Sequence, residues 1–450
     1  MDLSPDTPRP PRRRTLLTAL AVGSLTAAGA AGPAAAAPAA RTARTADPVR
    51  ALARAARPLA GLRPLERMIG DATIAGFGEA THSSREFFRV KSRIFRHLVE
   101  RKGFTAFALE APWSAGLRLN DYVLHGRGDV RRVMREEFQN SYLLWHTREY
   151  LDLLRWMRRY NQGRPERPVR FLGNDLAHAG PELFDTVTGY VAERRPELLP
   201  RVRELYRASR PTGSVDETMT HNLTRPLAER RAMAADTAAA LELLERLRPG
   251  PDRERHAWML QHARSIAQVG AGWAFDFFDQ DQLGQAMLYR DRVMAENTVW
   301  WQRQTGDKVL LSAHNGHVGY ETTDPVHYPK LQGAFIRDMI GDAYVSAGFT
   351  FGRGSFNAKD LGDPPAEPVR EFSVGPPEPG GNEETLERVA REDYFLDMRT
   401  APRAAREWLN VARTTRNIGN AWPADPEQVR LGTSYDVLIH LHRVTAADRL

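Results

Sequence analysis

The hydrophobic pattern of the folded part begins with a short apolar run that ends in glycine. Residues 72–78 read Ala-Thr-Ile-Ala-Gly-Phe-Gly, which predicts a buried strand. A helical period of apolar residues follows, with Ser83 or Ser84 as its N-cap and Gly103 as its stop. The next apolar run, at 104–109, predicts a second strand. A strand, a helix and a strand within about 40 residues form a βαβ unit, so we expect the two strands to be parallel and adjacent.

Later apolar runs predict further strands, at residues 169–173, 309–313, 344–351, 394–398 and 435–444. Residues 181–305 are nearly all helical in pattern, with breaks at 211–214 and 249–251, which predicts an insertion of roughly four helices. The Gly- and Pro-rich residues 353–386 predict a surface loop. The expected fold is α/β, with a mostly parallel central sheet flanked by helices. The helical insertion is expected to form a second, all-helical lobe over the carboxyl ends of the strands.

The start of the chain has the pattern of an export signal. Three arginines at 12–14 precede a weakly apolar, Ala- and Gly-rich stretch, and four alanines at 34–37 suit a signal peptidase. The stretch is too short and too rich in alanine for a membrane span, which needs about 20 strongly apolar residues. We therefore predict a twin-arginine signal at 1–40, a secreted protein, and one mature domain at 41–450. A disordered tail is the alternative for the first segment.

Composition narrows the chemistry. The chain has no cysteine, which excludes disulfides, cysteine-ligated metal centres and thiol nucleophiles, and which is compatible with export in the folded state. The net charge of +7 invites a nucleic-acid function. However, the mature part has no basic run and no zinc-finger pattern, and lysine is rare among its basic residues. A general preference for arginine explains the charge better, so we expect no nucleic-acid partner.

Ionisable side chains follow four of the predicted strands directly. They are Glu79 and His82, Glu110, Asp175, and His314 with His317. Ligands of parallel α/β sheets bind at the carboxyl ends of the strands. A lone carboxylate in such a place is more often a helix cap than a catalyst. Four segments that bring three of the thirteen histidines to one edge favour an active site instead.

A lysine interrupts the apolar stripe of the first helix. The stripe consists of Phe87, Val90, Ile94 and Leu98. Lys91 falls in its middle, and a lysine on a buried face costs roughly several kcal/mol unless it is paired. We expect an ion pair with Glu79 or Glu110. The alternative is a lysine that extends past the edge of the helix to solvent.

These residue types permit two kinds of hydrolysis. A histidine beside a carboxylate can act as a general base on water, while further histidines and a lysine can polarise a carbonyl group. The chain has no GxSxG motif, so a serine nucleophile has no candidate. His-x-x-His with carboxylates also suits zinc or manganese, although HExxH is absent. Direct activation of water and metal-assisted hydrolysis therefore both stay open.

Two more histidines alternate along the last predicted strand. His440 and His442 share one face of that strand. A second metal site there is one interpretation. A half-exposed face of the sheet is the one that we favour.

Several motifs, in this order along the chain, resemble the erythromycin esterase family. They are Gly76–His82 with Glu86–Phe88 and Lys91–Arg93, Phe107–Glu110, Arg290–Asn297, His314–His317, Gly348–Phe351 with Gly354–Phe356, Phe395–Asp397 and Tyr435–His440. The resemblance spans about residues 65–445. It implies a hydrolase that opens the macrolactone ester of erythromycin-type antibiotics, and so a part in antibiotic inactivation.

The resemblance also implies roles for single residues. His82 matches the general base that activates water, and Lys91 stands where characterised members have an arginine. The other matching active-site positions are Glu79, Glu110, His314 and His317. We expect the substrate-binding residues to be Asp175, Asn315 and Arg290.

The expected protein is thus an ester hydrolase with a small-molecule substrate and no required cofactor. One alternative is a hydrolase that depends on a divalent metal. Its candidate ligands are Glu79, His82, Glu110, His314 and His317. The other alternative is a secreted binding protein without catalysis, although a binder has little need of so many ionisable groups.

Overall fold

The structure is a computed structural model of the chain, and it describes residues 47–362 and 369–450. The predicted export signal at 1–40 lies outside the described residues. In the part of the chain that is described, no helix has the length and apolar character needed to cross a membrane.

A mixed sheet forms the centre of the molecule. The strands of the described residues are β1 (Arg57–Pro58), β2 (Ile74–Phe77), β3 (Phe104–Pro112), β4 (Arg170–Asp175), β5 (Lys308–Ser312), β6 (Tyr344–Asp360), β7 (Val369–Val374), β8 (Tyr394–Asp397), β9 (Arg413–Thr415), β10 (Ala421–Trp422), β11 (Glu427–Val429) and β12 (Val437–Val444). Strands β9 and β11 form a separate two-stranded sheet, and the others belong to the central one. Strands β12, β6, β2, β5, β3 and β4 lie side by side in that order and run parallel. Strands β8 and β1 extend one edge antiparallel, and β7 pairs antiparallel with β6. The predicted α/β fold with a mostly parallel sheet is confirmed.

Helices flank this sheet and fill the long insertion. They are α1 (Pro48–Ala55), α2 (Arg63–Ile69), α3 (Arg85–Arg101), α4 (Trp113–His125), α5 (Val130–Glu137), α6 (Arg148–Gly163), α7 (Pro181–Arg194), α8 (Leu199–Tyr206), α9 (Val215–Thr224), α10 (Leu227–Glu245), α11 (Arg253–Trp273), α12 (Gln280–Thr305), α13 (Asn315–Val318), α14 (Gln332–Ile340), α15 (Asn382–Leu386), α16 (Arg403–Leu409) and α17 (Leu431–Ser434). The insertion therefore holds six α-helices rather than four. Its predicted breaks are confirmed, because α8 gives way to α9 and α10 to α11 at the two Pro/Gly segments.

The first two predicted strands, β2 and β3, are parallel but not adjacent. Strand β5 lies between β2 and β3, and Ser312 pairs with Phe77 on one side and Leu109 on the other. A βαβ crossover fixes the direction of its second strand but not the number of strand positions that it skips. The apolar side chains of β5 at 309–311 are fully buried, which suits a central position.

The prediction of a surface loop at 353–386 is wrong for much of that range. Strand β6 continues to Asp360, and β7 and α15 follow within the same range. One of the glycines that suggested a loop, Gly354, serves a close approach between strands instead. A Cβ atom on Gly354 would lie 1.9 Å from the carbonyl oxygen of Val444, where only glycine fits.

The insertion reaches the sheet through its last helix. Arg290 of α12 contacts Glu110 at the end of β3 and Asp175 at the end of β4. His262 of α11 also accepts a hydrogen bond from the indole of Trp113 at 3.2 Å. The helical insertion thus covers the carboxyl ends of these two strands, as expected.

Helix α4 packs unusually close to β4. A Cβ atom on Gly116 would lie 1.9 Å from the backbone nitrogen of Gly173. A Cβ atom on Gly173 would in turn lie 2.1 Å from the carbonyl oxygen of Pro112. Both neighbours are backbone atoms, which cannot rotate out of the way. This contact sets the position of the end of β4 and therefore of Asp175.

The same substitution in two helices should have opposite effects. Gly116→Ala should lower the free energy of unfolding by about 1–3 kcal/mol because it overpacks α4 against β4. Gly189→Ala, on the exposed side of α7 with no atom within 4 Å of the added Cβ, should raise it by roughly 0.5–1 kcal/mol. Denaturant unfolding of the two variants measures both changes. Equal effects of the two substitutions would contradict the close approach.

Candidate active site

The predicted site residues meet at the carboxyl edge of the parallel strands, and they are buried. Glu79, His82 and Glu110 have no exposed surface, and His314 and His317 are exposed by 4% and 2%. Charges in such a place must be paired or neutralised. Two ion networks fulfil this requirement, one around Glu79 and one around Glu110.

The first network joins α3 to the segment after β2. The ammonium group of Lys91 donates to Glu79 Oε2, which confirms the predicted ion pair and selects Glu79 as the partner. The other oxygen, Glu79 Oε1, lies 2.9 Å from His82 Nδ1. Burial lowers the pKa of Lys91, and the charge of Glu79 counteracts part of that effect. The carboxylate of Glu79 is thus shared between a cation and an imidazole.

The contact with Glu79 assigns the tautomer of His82. A carboxylate accepts hydrogen bonds, so the proton of the ring sits on Nδ1 and Nε2 carries a lone pair. His82 Nε2 is buried and has no hydrogen-bond partner among the described residues. The edge of Trp145 packs against the ring, with centroids 5.2 Å apart. His82 is therefore oriented as a base whose basic atom is unoccupied by the protein.

The second network centres on Arg290 of α12. Its guanidinium group bonds Asp175 through two nitrogens, at 3.0 and 2.7 Å, and Glu110 Oε1 at 2.9 Å. Tyr142 adds a hydrogen bond to Asp175 at 2.9 Å. The second oxygen of Glu110 accepts from the backbone N–H of His314 at 3.0 Å. Arg290 thus pairs with both carboxylates, and together with the Glu110–His314 hydrogen bond it connects the ends of β3 and β4 to the turn after β5.

His317 lies between two carboxylates. Its Nδ1 is 2.8 Å from Asp291 and its Nε2 is 3.3 Å from Glu110. Burial alone would lower the pKa of His317, but Asp291 and Glu110 raise it to about 10. The ring is therefore an imidazolium at neutral pH, and it donates from both nitrogens. The Arg290 Nη1 atom, 3.2 Å from Nε2, is then a neighbouring donor and not a partner.

Glu110 stays ionised in spite of its burial. Desolvation raises the pKa of its carboxyl group, but the charge and hydrogen bond of His317, together with the charge of Arg290, bring it well below its usual range. Glu110 therefore carries a permanent negative charge in the middle of the site.

His314 differs from His82 in its partner and hence in its tautomer. It is the N-cap residue of α13, and its Nδ1 accepts from the backbone N–H of Gly316 at 3.2 Å. The proton of the neutral ring therefore sits on Nε2, which has no partner among the described residues. Burial, with help from His82 and His317, brings the pKa of His314 well below its usual value. His314 is a neutral donor.

The two rings are neighbours with complementary roles. Their centroids lie 5.0 Å apart. One presents a basic nitrogen and the other an N–H group, and neither atom is used by the protein. A base beside a donor is the combination that a hydrolytic attack on a carbonyl group requires.

The three predicted substrate-binding residues are engaged within the protein. Asn315 bonds both backbone groups of Phe349, with its Nδ2 at 2.7 Å from the oxygen and its Oδ1 at 2.9 Å from the nitrogen. This geometry gives Asn315 a part in holding the turn after β5 against β6. Asp175 and Arg290 neutralise each other beside Glu110. Their roles toward a substrate stay predictions.

A surface cleft leads to this site. Its floor includes His314, Gly316 and His317, and its walls combine Tyr328, Leu331, Ile418, Val429 and Tyr435 with Thr322, Thr323, Asp324, Asn417 and Glu427. The wall segment at 417–419 also supports His82, because the carbonyl oxygen of Gly419 accepts from the backbone N–H of His82 at 2.9 Å. The cleft is lined by both apolar and acidic side chains.

Some residues of the site were missed in the sequence. They are Tyr142, Trp145, Asp291, Asn417 and Ile418. The sequence pattern could have indicated Asp291, because this charged residue shares a helical face with the apolar Met287 and Met294. Lys91 interrupts the apolar face of α3 in the same way. The others come from segments far away in the sequence, and no local pattern relates them to the strand ends.

Two of the five candidate metal ligands are paired with cations of the protein. Lys91 occupies the carboxylate of Glu79, and Arg290 occupies that of Glu110. A divalent cation would have to compete with both groups.

The prediction of a half-exposed sheet face is wrong for His440, which is fully buried.

The raised pKa of His317 has a consequence for stability. Between about pH 6.5 and pH 10 the folded chain holds a proton on His317 that the unfolded chain lacks, so the free energy of unfolding should fall as the pH rises through this range. In His317→Gln this slope should be flatter, with the largest loss relative to the wild type below about pH 6.5. Denaturant unfolding from pH 6 to 10 measures both curves. Parallel curves would contradict the imidazolium.

The comparisons with known proteins identify the family of this chain. The family described as erythromycin esterase matches residues 99–444, a range that includes Glu110 and the His314–His317 turn but begins after His82. The chain is 24% identical to the erythromycin esterase type II of Escherichia coli, over 78% of this chain and 86% of that protein.

Solved structures show the same fold. A succinoglycan biosynthesis protein is 26% identical, with a TM-score of 0.78, over 91% of this chain and all of the other. A mutant of the erythromycin esterase EreC in its open conformation is 17% identical, with a TM-score of 0.66, over 86% of this chain and 95% of the other. The chain belongs to the erythromycin esterase family, a membership that implies a hydrolase acting on esters with a small-molecule substrate.

Proposed function

We propose that this protein hydrolyses a lactone or another carboxylic ester with water that is activated by His82. The observation that carries the proposal is the pair of neighbouring imidazoles, one with a free basic Nε2 atom and one with a free N–H donor. Family membership supports the reaction class.

In the proposed reaction, His82 Nε2 takes a proton from water as the water oxygen forms a bond to the carbonyl carbon. The resulting imidazolium is stabilised by the carboxylate of Glu79 at Nδ1. The N–H group of His314 supports the oxyanion that develops on the carbonyl oxygen. When the bond from carbon to the ester oxygen breaks, His82 returns the proton to the leaving alkoxide. The products are an acid and an alcohol, and a lactone opens to a hydroxy acid.

Two further groups adjust the electrostatics of this step. Lys91 offsets the charge of Glu79, whose carboxylate fixes the His82 tautomer. Lysine provides the charge that arginine provides in the relatives, without the bidentate fork. The imidazolium of His317 and the guanidinium of Arg290 offset the negative charge of Glu110, which accepts from the backbone N–H of His314.

The proposal is a reaction without a required metal. Its support is the charge arrangement, in which Lys91 and Arg290 already neutralise the two carboxylates that a divalent cation would need. A metal-dependent hydrolysis at the same residues is the outcome to be distinguished from it by experiment.

The cleft favours an ester that is partly apolar and of some size. Its wall offers Tyr328, Leu331 and Ile418 to an apolar ring, and Asp324 to a positive group. His82 is wholly buried, so a substrate has to displace neighbouring side chains to reach it. A macrolactone antibiotic fits this chemistry, and the predicted export would place its inactivation outside the cytoplasm.

Removal of either imidazole should remove catalysis. His82→Ala should lower kcat by about 10²–10⁴-fold, since it deletes the general base. His314→Ala should lower kcat by about 10²–10³-fold with a smaller change in KM, since it deletes a donor to the transition state. Steady-state kinetics measure both losses. His97→Gln is the matched control, because His97 has a similar carboxylate partner, Glu66 at 2.7 Å, but lies on α3 away from the cleft.

Retained turnover in His82→Ala would disprove the proposed base. Thermal unfolding of each variant establishes that the loss of activity is not a loss of the fold.

The substrate class can be tested directly. Purified protein is incubated with macrolides, simpler lactones and open-chain esters, with and without a strong chelator, and the products are weighed for the gain of one water. Hydrolysis that is insensitive to chelator is the expected result. Activity that disappears with chelator and returns with added metal would favour the metal-dependent alternative. An absence of any hydrolysis across the panel would contradict the reaction class.

A further inference from the structure

A second group of histidines meets a carboxylate away from the proposed catalytic residues. Glu387 directly follows α15, and its Oε1 atom lies 3.0 Å from His440 Nε2 and 2.9 Å from His442 Nδ1. The three ligand atoms all lie within 4.8 Å of one another. Within residues 47–362 and 369–450, no second group of three or more such side chains has this geometry.

The group occupies the face of the sheet opposite α3. On β6, Phe349 and Phe351 contact Phe87 of α3. Thr350 between them points to the other face, where its hydroxyl lies 2.9 Å from His440 Nδ1. The group is therefore separated by the sheet from the helix that carries Lys91.

We propose that Glu387, His440 and His442 bind a zinc ion. Two imidazoles and one carboxylate are a set that zinc accepts, with water in the fourth position. In tetrahedral geometry, ligand atoms about 2.0–2.2 Å from zinc lie about 3.3–3.5 Å from one another. The present separations from Glu387 Oε1 would have to widen by only a few tenths of an ångström. This site is independent of the proposed hydrolysis.

Thr350 makes His440 suitable as a ligand. A histidine that binds zinc through one nitrogen usually has a hydrogen-bond partner at the other. The hydroxyl of Thr350 can donate to Nδ1 or accept from it, so His440 can move its proton from Nε2 to Nδ1 and keep the bond. Zinc then takes the place of that proton at Nε2.

The backbone beside the carboxylate is adapted to it. A Cβ atom on Gly352 of β6 would lie 2.0 Å from Glu387 Oε1 and 2.7 Å from the carbonyl oxygen of His442. Any larger residue would displace the carboxylate from the histidines. Glycine at this position leaves the space that the ligand set occupies.

Solvent can deliver an ion to this group. The side chain of His440 is fully buried, while those of His442 and Glu387 are exposed by 22% and 26%. Two charged neighbours of opposite sign contact the same strands, since Asp393 accepts from the backbone of His442 and Arg416 donates to the carbonyl of Gly352. Because these two charges offset each other, the negative charge of Glu387 remains available to attract a cation. A bound ion would join α15 to β12, and its expected role is to stabilise the fold.

The test measures zinc and stability together. The full-length protein is stripped with chelator and dialysed against micromolar Zn²⁺. Bound metal is then measured by elemental analysis, and thermal unfolding is followed with and without Zn²⁺. One zinc ion per chain and a raised unfolding midpoint are expected. His442→Ala and Glu387→Gln should lose both effects, and Thr350→Val should weaken binding by about 10–100-fold.

Two control variants make the result specific. His97→Gln should keep the zinc, because His97 has a single carboxylate partner. His82→Ala should keep it as well. Zinc that is lost in His82→Ala but retained in His442→Ala and Glu387→Gln would assign the ion to the other site and overturn the proposal. The proposal also fails if the wild type binds no zinc. Circular dichroism of each variant excludes loss of the fold as the cause, and none of these readouts depends on hydrolysis.

Discussion

Charge pairing in a desolvated interior is the constraint on which the site depends. Without a cationic partner, the buried carboxylates of Glu79 and Glu110, each of which contacts an imidazole, would carry the desolvation cost of an uncompensated charge. Lys91 and Arg290 prevent this, and each comes from a helix rather than from the strand ends. The helices α3 and α12 therefore do more than cover the sheet, because their buried charges decide which protons the histidines carry.

The same constraint explains why two neighbouring histidines differ. His82 faces a carboxylate and His314 accepts from a backbone N–H group, so their protons sit on opposite nitrogens of the rings. This difference in tautomer does not come from the residue type, which is the same. It comes from the position of each ring relative to a carboxylate or to the start of a helix, and small shifts of α13 would alter it.

Local patterns predicted the parts of the fold and site that are local in origin. Short apolar runs identified the main strands, and the residues directly after them identified the edge where the chemistry collects. The apolar stripe around Lys91 indicated a buried ion pair, because a buried charge requires a partner wherever the partner comes from. The position of β5, the partners of Asn315 and the continuation of β6 through its glycines depend on contacts between distant segments. No periodicity in one segment contains that information.

The central position of β5 determines the order in which the site can form. Residues 113–307 separate β3 from β5, yet β5 fills the gap between β2 and β3. Until residue 312 has left the ribosome, β2 and β3 lack the strand that lies between them. Each of the two therefore presents an open edge. The residues after β5 bring His314 and His317, so the strand between β2 and β3 and two of the six ionisable groups at the strand ends arrive together. A chain that has synthesised its entire helical insertion thus still has no site, because β5, which joins β2 to β3, and the two histidines that follow it are made only afterwards.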